Sequence, residues 1–324
     1  MTAPAQPAWL HAVGGGVHAI DTGFHRDDFD AAWLVVHEGR AAFIDTGTHF
    51  ALPRLLGALD ALGLAREAVD WVIPTHVHLD HAGGAGSLMA ALPNATMLVH
   101  PRGERHMVDP SALWAGATAV YGEAEMARSY GVVTPVPAER VRTSHDGLKL
   151  DWAGRGLEVI DTPGHARHHH CIWDPVTQGW FTGDTFGLSY REFDTDAGAW
   201  IVPTSTPVQF EPEALRGSIE RLLAKAPRCI YLTHYGRVDD VPRLGRLLLG
   251  LLDEMVALGE GQRGVADAAA RHEALKQGQL AIFTRSLREH GVRFPEARIA
   301  ELLAIDLELN AQGMAVWLDR PARG

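Results

Sequence analysis

The stretch THVHLDHAGG, residues 75–84, places three histidines and one aspartate within six positions and closes on two glycines. On an extended backbone, side chains two residues apart point to the same side, so His76 and His78 can present their imidazoles to one ion. Asp80 and His81 come after a further turn, where they can hold a second ion nearby. The glycines let the backbone turn sharply and approach the site closely. We therefore interpret this stretch as the ligand loop of a metal centre.

One loop cannot supply all the ligands of such a centre, and three further donors stand where other predicted strands end. His165 in TPGHARHHH follows the strand LEVID, Asp184 ends WFTGD, and His234 follows CIYLT. A single strand-end histidine is usually structural. Three such donors in a chain that already has the loop favour a shared metal site.

The ordered motifs HVHLDH, TPGH, FTGD and LTHYG resemble those of the metallo-β-lactamase superfamily over roughly residues 10–240. The resemblance implies an α/β fold, a four-layer αββα sandwich with the metal site along one edge of its two sheets. It also implies seven ligands on two ions: His76, His78 and His165 on the first, Asp80, His81 and His234 on the second, and Asp184 bridging both.

Two more positions match superfamily residues that support metal ligands without binding the metal. Asp45 in FIDTG matches an aspartate near the metal loop, although a strand-end turn aspartate is the alternative interpretation. His169 lies four residues after His165, where glyoxalase II and the lactonases also carry a histidine that is not a direct ligand. The adjacent His168 and His170 are interpreted as surface or packing histidines.

The mixture of imidazole and carboxylate donors suits zinc first, with iron or manganese as alternatives. Two divalent ions held in this way lower the pKa of a water molecule and supply hydroxide near pH 7. We therefore expect a hydrolase in which a metal-bridging hydroxide attacks a small ester-like molecule, either a lactone, a thioester or a phosphoester. Asp80 would assist proton transfer to the leaving group.

Tyr190 follows Asp184 by six positions, and lactonases of this superfamily place a tyrosine shortly after the bridging aspartate. The resemblance implies that Tyr190 donates a hydrogen bond to a substrate carbonyl oxygen. A buried or rim tyrosine is the alternative.

Two other classes of protein are alternatives to a hydrolase for the same set of residues. Persulfide dioxygenases are oxidoreductases that share this platform and use a single iron, and a non-catalytic metal-binding protein could retain the fold. Other catalytic motifs are weaker. The nearest approach to GxSxG, at 187–191, breaks at its last position, and the GxGxxG match at 259–264 follows a helix rather than a strand.

Strand and helix patterns alternate up to about residue 240, and amphipathic helical patterns follow. We therefore predict a catalytic domain over residues 1–240 and a helical extension over 241–324. Residues 101–145 look irregular, with short helical pieces, and are expected to form a long connection beside the pocket.

Composition limits the partners of the chain. Its 324 residues are 46% hydrophobic, enough for a large core, and Cys171 and Cys229 read as separate core residues rather than a disulfide. A formal net charge of −11 opposes nucleic-acid binding.

No secretory pattern and no apolar run of about 18 residues is present, so we expect a cytoplasmic protein without a membrane partner. The partner expected is a small-molecule substrate, and the apolar positions of the C-terminal helices either cap the core or bury the surface of a homodimer.

Overall fold

The computed structural model describes residues 7–205 and 208–320. In chain order, the strands of this part are β1 Leu10–Gly14, β2 Val17–Asp21, β3 Ala31–His37, β4 Arg40–Ile44, β5 Val69–Ile73, β6 Thr96–Val99, β7 Val141–Thr143, β8 Leu148–Trp152, β9 Arg155–Asp161, β10 His170–Asp174, β11 Gly179–Gly183, β12 Cys229–Leu232 and β13 Gly236–Val238.

The strands form two mixed sheets. In the first, β1 to β7 lie side by side in chain order, with β1–β4 antiparallel and β4–β7 parallel. The second sheet has the order β13-β12-β11-β10-β9-β8 and is antiparallel except for the parallel pair β11–β12. Since neighbouring parallel strands end at the same edge, the residues that follow β4 and β5 emerge side by side.

Strand β3 shows how the first sheet is buried on both faces. Trp33 points into a core that it shares with Phe181 and Tyr231 of the second sheet. Its neighbour Leu34 points the other way, into a second core that contains Leu55 of a covering helix. This two-sided burial explains why the first six residues of the strand, AAWLVV, are apolar throughout instead of alternating between apolar and polar residues.

The chain divides into two compact units by its internal contacts. The first comprises residues up to Asp161, His168–Gly183 and Pro227–Asp239, and it holds both sheets. Its helices are α1 Leu52–Ala61, α2 Leu79–Ala82, α3 Ala85–Ala91, α4 Glu104–Val108, α5 Ser111–Tyr121 and α6 Glu123–Glu125, with a π-helical turn at Met126–Tyr130 and 3₁₀ turns at His49–Ala51, Arg66–Ala68 and Ala138–Arg140.

The second unit comprises Thr162–Arg167, Asp184–Ala226 and the chain from Asp240 onwards. It is mainly helical. Its elements are a 3₁₀ turn at Arg191–Phe193 and the helices α7 Pro212–Ala224, α8 Val241–Gln262, α9 Ala268–Glu289, α10 Glu296–Leu302 and α11 Ala304–Asp319.

The predicted α/β class with a helical C-terminal region is confirmed by this architecture. The predicted domain limits at 1–240 and 241–324 stay a prediction. Residues 101–145 are more regular than expected, because they contain α4, α5 and α6 and add β7 to the first sheet. Among the helices of the described ranges, none is long and apolar enough to cross a membrane.

Candidate metal centre

The ligand loop leaves β5 in an extended conformation and then turns into the short helix α2. His78 is the N-cap of that helix, with an extended backbone at φ −66° and ψ 151°, while Asp80 and His81 lie inside it. The extended part brings two rings together, with His76 Nε2 at 2.7 Å from His78 Nδ1. Nitrogens this close share either a proton or a cation.

The glycine pair of the loop allows a close approach to the segment after β4. A Cβ on Gly84 would lie 2.7 Å from the carbonyl oxygen of Thr48, which only glycine avoids. The Gly84 amide donates to Gly47 O at 2.9 Å, and the Thr46 amide donates to His81 O at 2.7 Å. These bonds hold the loop against the segment that follows β4. Asp45 is the first residue of that segment, directly before Thr46.

Asp45 is fully buried and accepts hydrogen bonds from three residues. The Thr75 amide donates to Oδ1 at 2.7 Å, and the Thr233 hydroxyl donates to Oδ2 at 2.7 Å. His81 Nδ1 lies 2.9 Å from Oδ2. Because a carboxylate accepts, Nδ1 carries the hydrogen and Nε2 of the neutral ring keeps its lone pair for a metal.

His234 is held in the same way by a backbone carbonyl. Its Nδ1 lies 2.9 Å from Phe29 O, so this nitrogen is the donor and Nε2 keeps the lone pair. The Nε2 atoms of His234 and His81 lie 3.4 and 3.8 Å from Asp80 Oδ2. Asp80, His81 and His234 thus offer three ligand atoms within 4.8 Å of one another. Two imidazole nitrogens and one carboxylate are a donor set that fits a divalent cation such as zinc.

The second unit contains the remaining predicted pair. His165 Nε2 lies 3.2 Å from Asp184 Oδ2, and both side chains are almost fully buried. The turn that carries His165 requires glycine, because a Cβ on Gly164, at φ 131°, would lie 2.2 Å from the Leu215 amide nitrogen in α7. That this pair shares ions with His76, His78 and the other predicted ligands stays a prediction.

The histidine run 168–170 is buried rather than exposed. His169 stacks on His76, with ring centroids 4.8 Å apart and an interplanar angle of 26°. His168 accepts a long hydrogen bond of 3.5 Å from the Val77 amide through Nδ1. His170 uses both nitrogens, since Nδ1 lies 2.8 Å from the Ser144 hydroxyl and Nε2 lies 2.9 Å from Pro74 O.

Tyr190 lies in the second unit and is 1% exposed. Its hydroxyl donates to Asp306 Oδ1 at 3.0 Å, a contact between residues 116 positions apart. Its predicted hydrogen bond to a substrate carbonyl stays a prediction.

Asp30 is a neighbour of the centre that the sequence analysis missed. It is fully buried, and the Thr22 hydroxyl donates to its Oδ2 at 2.6 Å. Burial raises the pKa of this carboxyl to about 7, although its electrostatic interaction with His234 and His81 opposes the shift. The only sign of this residue in the sequence is an aspartate directly before a predicted strand. That arrangement is common and does not by itself indicate a functional site.

Known proteins are similar to this chain over most of its length. The family model described as the metallo-beta-lactamase superfamily matches residues 25–234. A metallo-beta-lactamase fold-containing protein of Sulfurisphaera tokodaii is 24% identical over 278 residues, which are 85% of this chain and 97% of that protein. A solved structure of a metallo-beta-lactamase family protein from Thermus thermophilus has a TM-score of 0.62 at 21% identity, covering 95% of this chain and 94% of that chain.

Two enzymes match a shorter part. A hydroxyacylglutathione hydrolase of Aeromonas hydrophila is 27% identical over 193 residues, which are 59% of this chain and 55% of that enzyme. An acyl-coenzyme A thioesterase of Homo sapiens is 27% identical over 194 residues, which are 53% of this chain and 64% of that enzyme. The matched region thus spans between half and two thirds of each of these two enzymes.

Proposed function

Because the chain belongs to the metallo-β-lactamase superfamily, we propose that it is a metal-dependent hydrolase of a small ester-like substrate. The hydrogen bonds of His81 and His234 carry this proposal. Each ring uses Nδ1 on an acceptor and turns Nε2 towards the Asp80 carboxylate. Such support of a ligand through its second nitrogen is what tunes and orients metal-binding histidines in enzymes.

Two divalent cations would be bound, zinc being the first choice and iron or manganese the alternatives. When bound, they supply Lewis acidity and a water molecule of lowered pKa. The residues proposed to hold them are His76, His78 and His165 for one ion, Asp80, His81 and His234 for the other, and Asp184 for both.

Asp80 differs from the histidines beside it in its exposure. Its side chain is 24% exposed, whereas that of His81 is 0% exposed and that of His234 is 6% exposed. Among these three groups it is therefore the one that solvent and substrate reach most readily. We assign to Asp80 the transfer of a proton to the leaving group.

Thioesters are the substrate class to test first, with lactones and phosphoesters as the alternatives. Two relatives are named as a hydroxyacylglutathione hydrolase and an acyl-coenzyme A thioesterase. The formal charge of −11 supports a small-molecule substrate over nucleic acid. The expectations of a homodimer and of a cytoplasmic location stay predictions.

The test is a hydrolysis panel of thioesters, lactones, aryl esters and phosphotriesters on protein reconstituted with zinc, manganese or iron. We expect turnover that requires about two ions per chain by elemental analysis and that a chelator abolishes. Asp184→Ala should lose most of it, whereas His145→Ala, which changes an exposed histidine, should not.

Two outcomes would contradict the proposal. Protein that holds two ions per chain and hydrolyses none of these compounds is not this hydrolase. A single iron per chain, together with oxygen uptake in the presence of a persulfide, would instead establish the oxidoreductase alternative.

A further inference from the structure

Asp30 carries a buried carboxyl group between two residues that contact the His234 segment. It is fully buried and lies at the end of the loop that joins β2 to β3. The residue before it, Phe29, accepts a hydrogen bond from His234 Nδ1 at its carbonyl oxygen, at 2.9 Å. The residue after it, Ala31, donates its amide to Thr233 O at 2.8 Å. Because both bonds involve neighbours of Asp30, the direction of the His234 ring depends on where the backbone of Asp30 lies.

Thr22 holds Asp30 from the opposite end of the same loop. The Thr22 amide donates to the Asp30 carbonyl oxygen at 2.9 Å, and the Thr22 hydroxyl donates to Asp30 Oδ2 at 2.6 Å. We call this pair of bonds the loop clasp. Between its two residues, His25 and Asp28 have φ of 57° and 55°, in the left-handed region that is unfavourable for residues with a Cβ. The loop clasp therefore keeps the two ends of a strained loop together.

The second oxygen of the Asp30 carboxyl group has no hydrogen bond. Oδ1 is buried, and none of the residues that the structure describes donates to it. A buried carboxylate oxygen without a donor is costly, and such groups are rare in proteins. Electrostatic interactions with His234 and His81 favour the charged form of Asp30, whereas its burial and the interaction with Asp80 disfavour it. A divalent cation bound by these three residues would offset the cost, since Asp30 interacts with all of them.

We propose that Asp30 is a positioning residue of the candidate metal centre. The loop clasp fixes the backbone that orients His234, and the carboxylate adds a negative charge near the ion. Asp30 is not itself a ligand, since it belongs to none of the groups of described side chains whose ligand atoms lie within 4.8 Å of one another. The inference rests on the ion proposed above for Asp80, His81 and His234, and it holds for any substrate of the hydrolase.

Asp21 allows the charge of Asp30 to be separated from its place in the loop. It is also buried, and it lies directly before the loop as the last residue of β2. Its Oδ2 lies 2.9 Å from Arg54 Nη1, and its Oδ1 accepts from the Gly23 amide at 2.9 Å. Asp21 thus anchors the loop as Asp30 does, but Arg54 balances its charge. If Asp30 only anchored the loop, the loss of either charge would have the same effect on the metal centre.

The test titrates cobalt(II) into the metal-free protein and records the affinity and the visible spectrum, neither of which requires turnover. The titrations are done at pH 8, where Asp30 is ionised because the pKa of its carboxyl is about 7. Asp30→Asn keeps the shape of the side chain and removes its charge, so one cobalt ion should bind about 10–100-fold more weakly, with a changed visible spectrum. Asp21→Asn is the matched control and should leave the affinity within about twofold and the spectrum unchanged.

Two variants of Thr22 test the loop clasp in the same titration. Thr22→Val keeps the shape of the side chain but removes the hydroxyl donor, so the same ion should bind about threefold to tenfold more weakly. Thr22→Ser keeps a hydroxyl and should bind cobalt within about twofold of the unaltered protein. In a protein that already carries His81→Ala and so lacks a ligand of this ion, Asp30→Asn should weaken the remaining ion by less than about twofold. That comparison assigns the effect to one ion rather than to the fold as a whole.

The possible results separate this inference from the hydrolase function. Unchanged cobalt affinity in Asp30→Asn, or equal weakening in Asp30→Asn and Asp21→Asn, overturns the inference. If Asp30→Asn does not fold, as judged by circular dichroism, equal affinities in Thr22→Val and Thr22→Ser overturn it. The expected changes in a protein that binds cobalt but hydrolyses no ester support the role of Asp30 and contradict only the hydrolase function. An unaltered protein that binds no cobalt contradicts both.

Discussion

His81 and His170 come from two histidine-rich regions of the first unit and differ in their hydrogen bonds. In the ligand loop, His81 uses Nδ1 on Asp45, at 2.9 Å, and its Nε2 faces Asp80. In the run 168–170, His170 uses both nitrogens, on Ser144 at 2.8 Å and on Pro74 at 2.9 Å. His168 accepts at Nδ1 from a backbone amide, so the hydrogen of its neutral ring lies on Nε2.

For His81 and His170, we infer that the partners of the ring nitrogens, rather than the density of histidines, distinguish the proposed ligand from the packing residue. A carboxylate or carbonyl at Nδ1 leaves Nε2 as an acceptor that can bind a metal. The partners of His170 at both nitrogens leave no lone pair for a metal unless those hydrogen bonds break. His76 of the ligand loop also has a partner at each nitrogen, the Thr75 hydroxyl at 3.2 Å and His78 Nδ1 at 2.7 Å, so it binds a metal only if an ion replaces the contact with His78. The predictions below test this contrast on single residues.

The largest effect is expected for His81→Ala. It removes a proposed ligand, so about one of the two ions should be lost and hydrolysis should fall by more than the roughly 10–100-fold typical of residues that only support a ligand. Elemental analysis and kcat/KM measure the two effects. His170→Ala is the counterpart, and metal loss in that variant equal to that of His81→Ala would break the comparison.

Asp45→Asn is expected to have the next largest effect. The amide keeps the shape of the side chain but replaces one acceptor oxygen by a donor, so the bond that orients His81 is weakened. Metal affinity should fall about 10–100-fold, as measured by competition with a chromophoric chelator. Asp151→Asn, an exposed aspartate of β8, is the control. Unchanged affinity in Asp45→Asn would show that His81 needs no partner at Nδ1.

Gly183→Ala tests the point where the ligand loop and the run 168–170 lie side by side. Gly183 has φ 46°, and its Cβ would lie 2.4 Å from the Thr75 hydroxyl and 2.7 Å from His169 Nε2. The added strain should cost about 1–3 kcal/mol of the free energy of unfolding. Displacement of Thr75 should also weaken metal binding through Asp45. Gly147→Ala, a glycine at φ 74° with open space around its Cβ, isolates the backbone cost in urea titrations.

The sequence was most informative where the pattern was local. Strands β1 to β6 followed from short apolar runs between turn residues, and the close rings of His76 and His78 followed from their spacing of two. Helix α5 was foreseen only as a short helical piece, because its apolar sequence lacks the polar face that reveals an amphipathic helix. Strands β7 and β13 have three residues each, too few for a pattern.

The partners of the ring nitrogens were less accessible to sequence reasoning. The acceptor for His234 is the carbonyl of Phe29, 205 positions away, and any residue type supplies a carbonyl. Thr233 reaches Asp45 across 188 positions. Such contacts depend on which strands lie side by side, which the sequence alone does not specify.

The smallest effect is expected from the titration of His170. Burial lowers the pKa of this ring from 6.5 to about 3. Between these values the unfolded chain takes up a proton that the folded chain cannot, so stability is complete above pH 6.5 and falls as the pH drops towards 3. From pH 7.5 to 5.5, the unaltered protein should lose about 1.4 kcal/mol more of its free energy of unfolding than His170→Asn loses.

Urea titrations at both pH values measure this difference, and the protonation of the proposed metal ligands cancels because both proteins contain them. His145→Asn, with an exposed ring, should follow the unaltered protein. If His170→Asn loses as much stability as the unaltered protein, His170 takes up its proton in the folded state, and its two hydrogen bonds do not set it apart from the ligand loop.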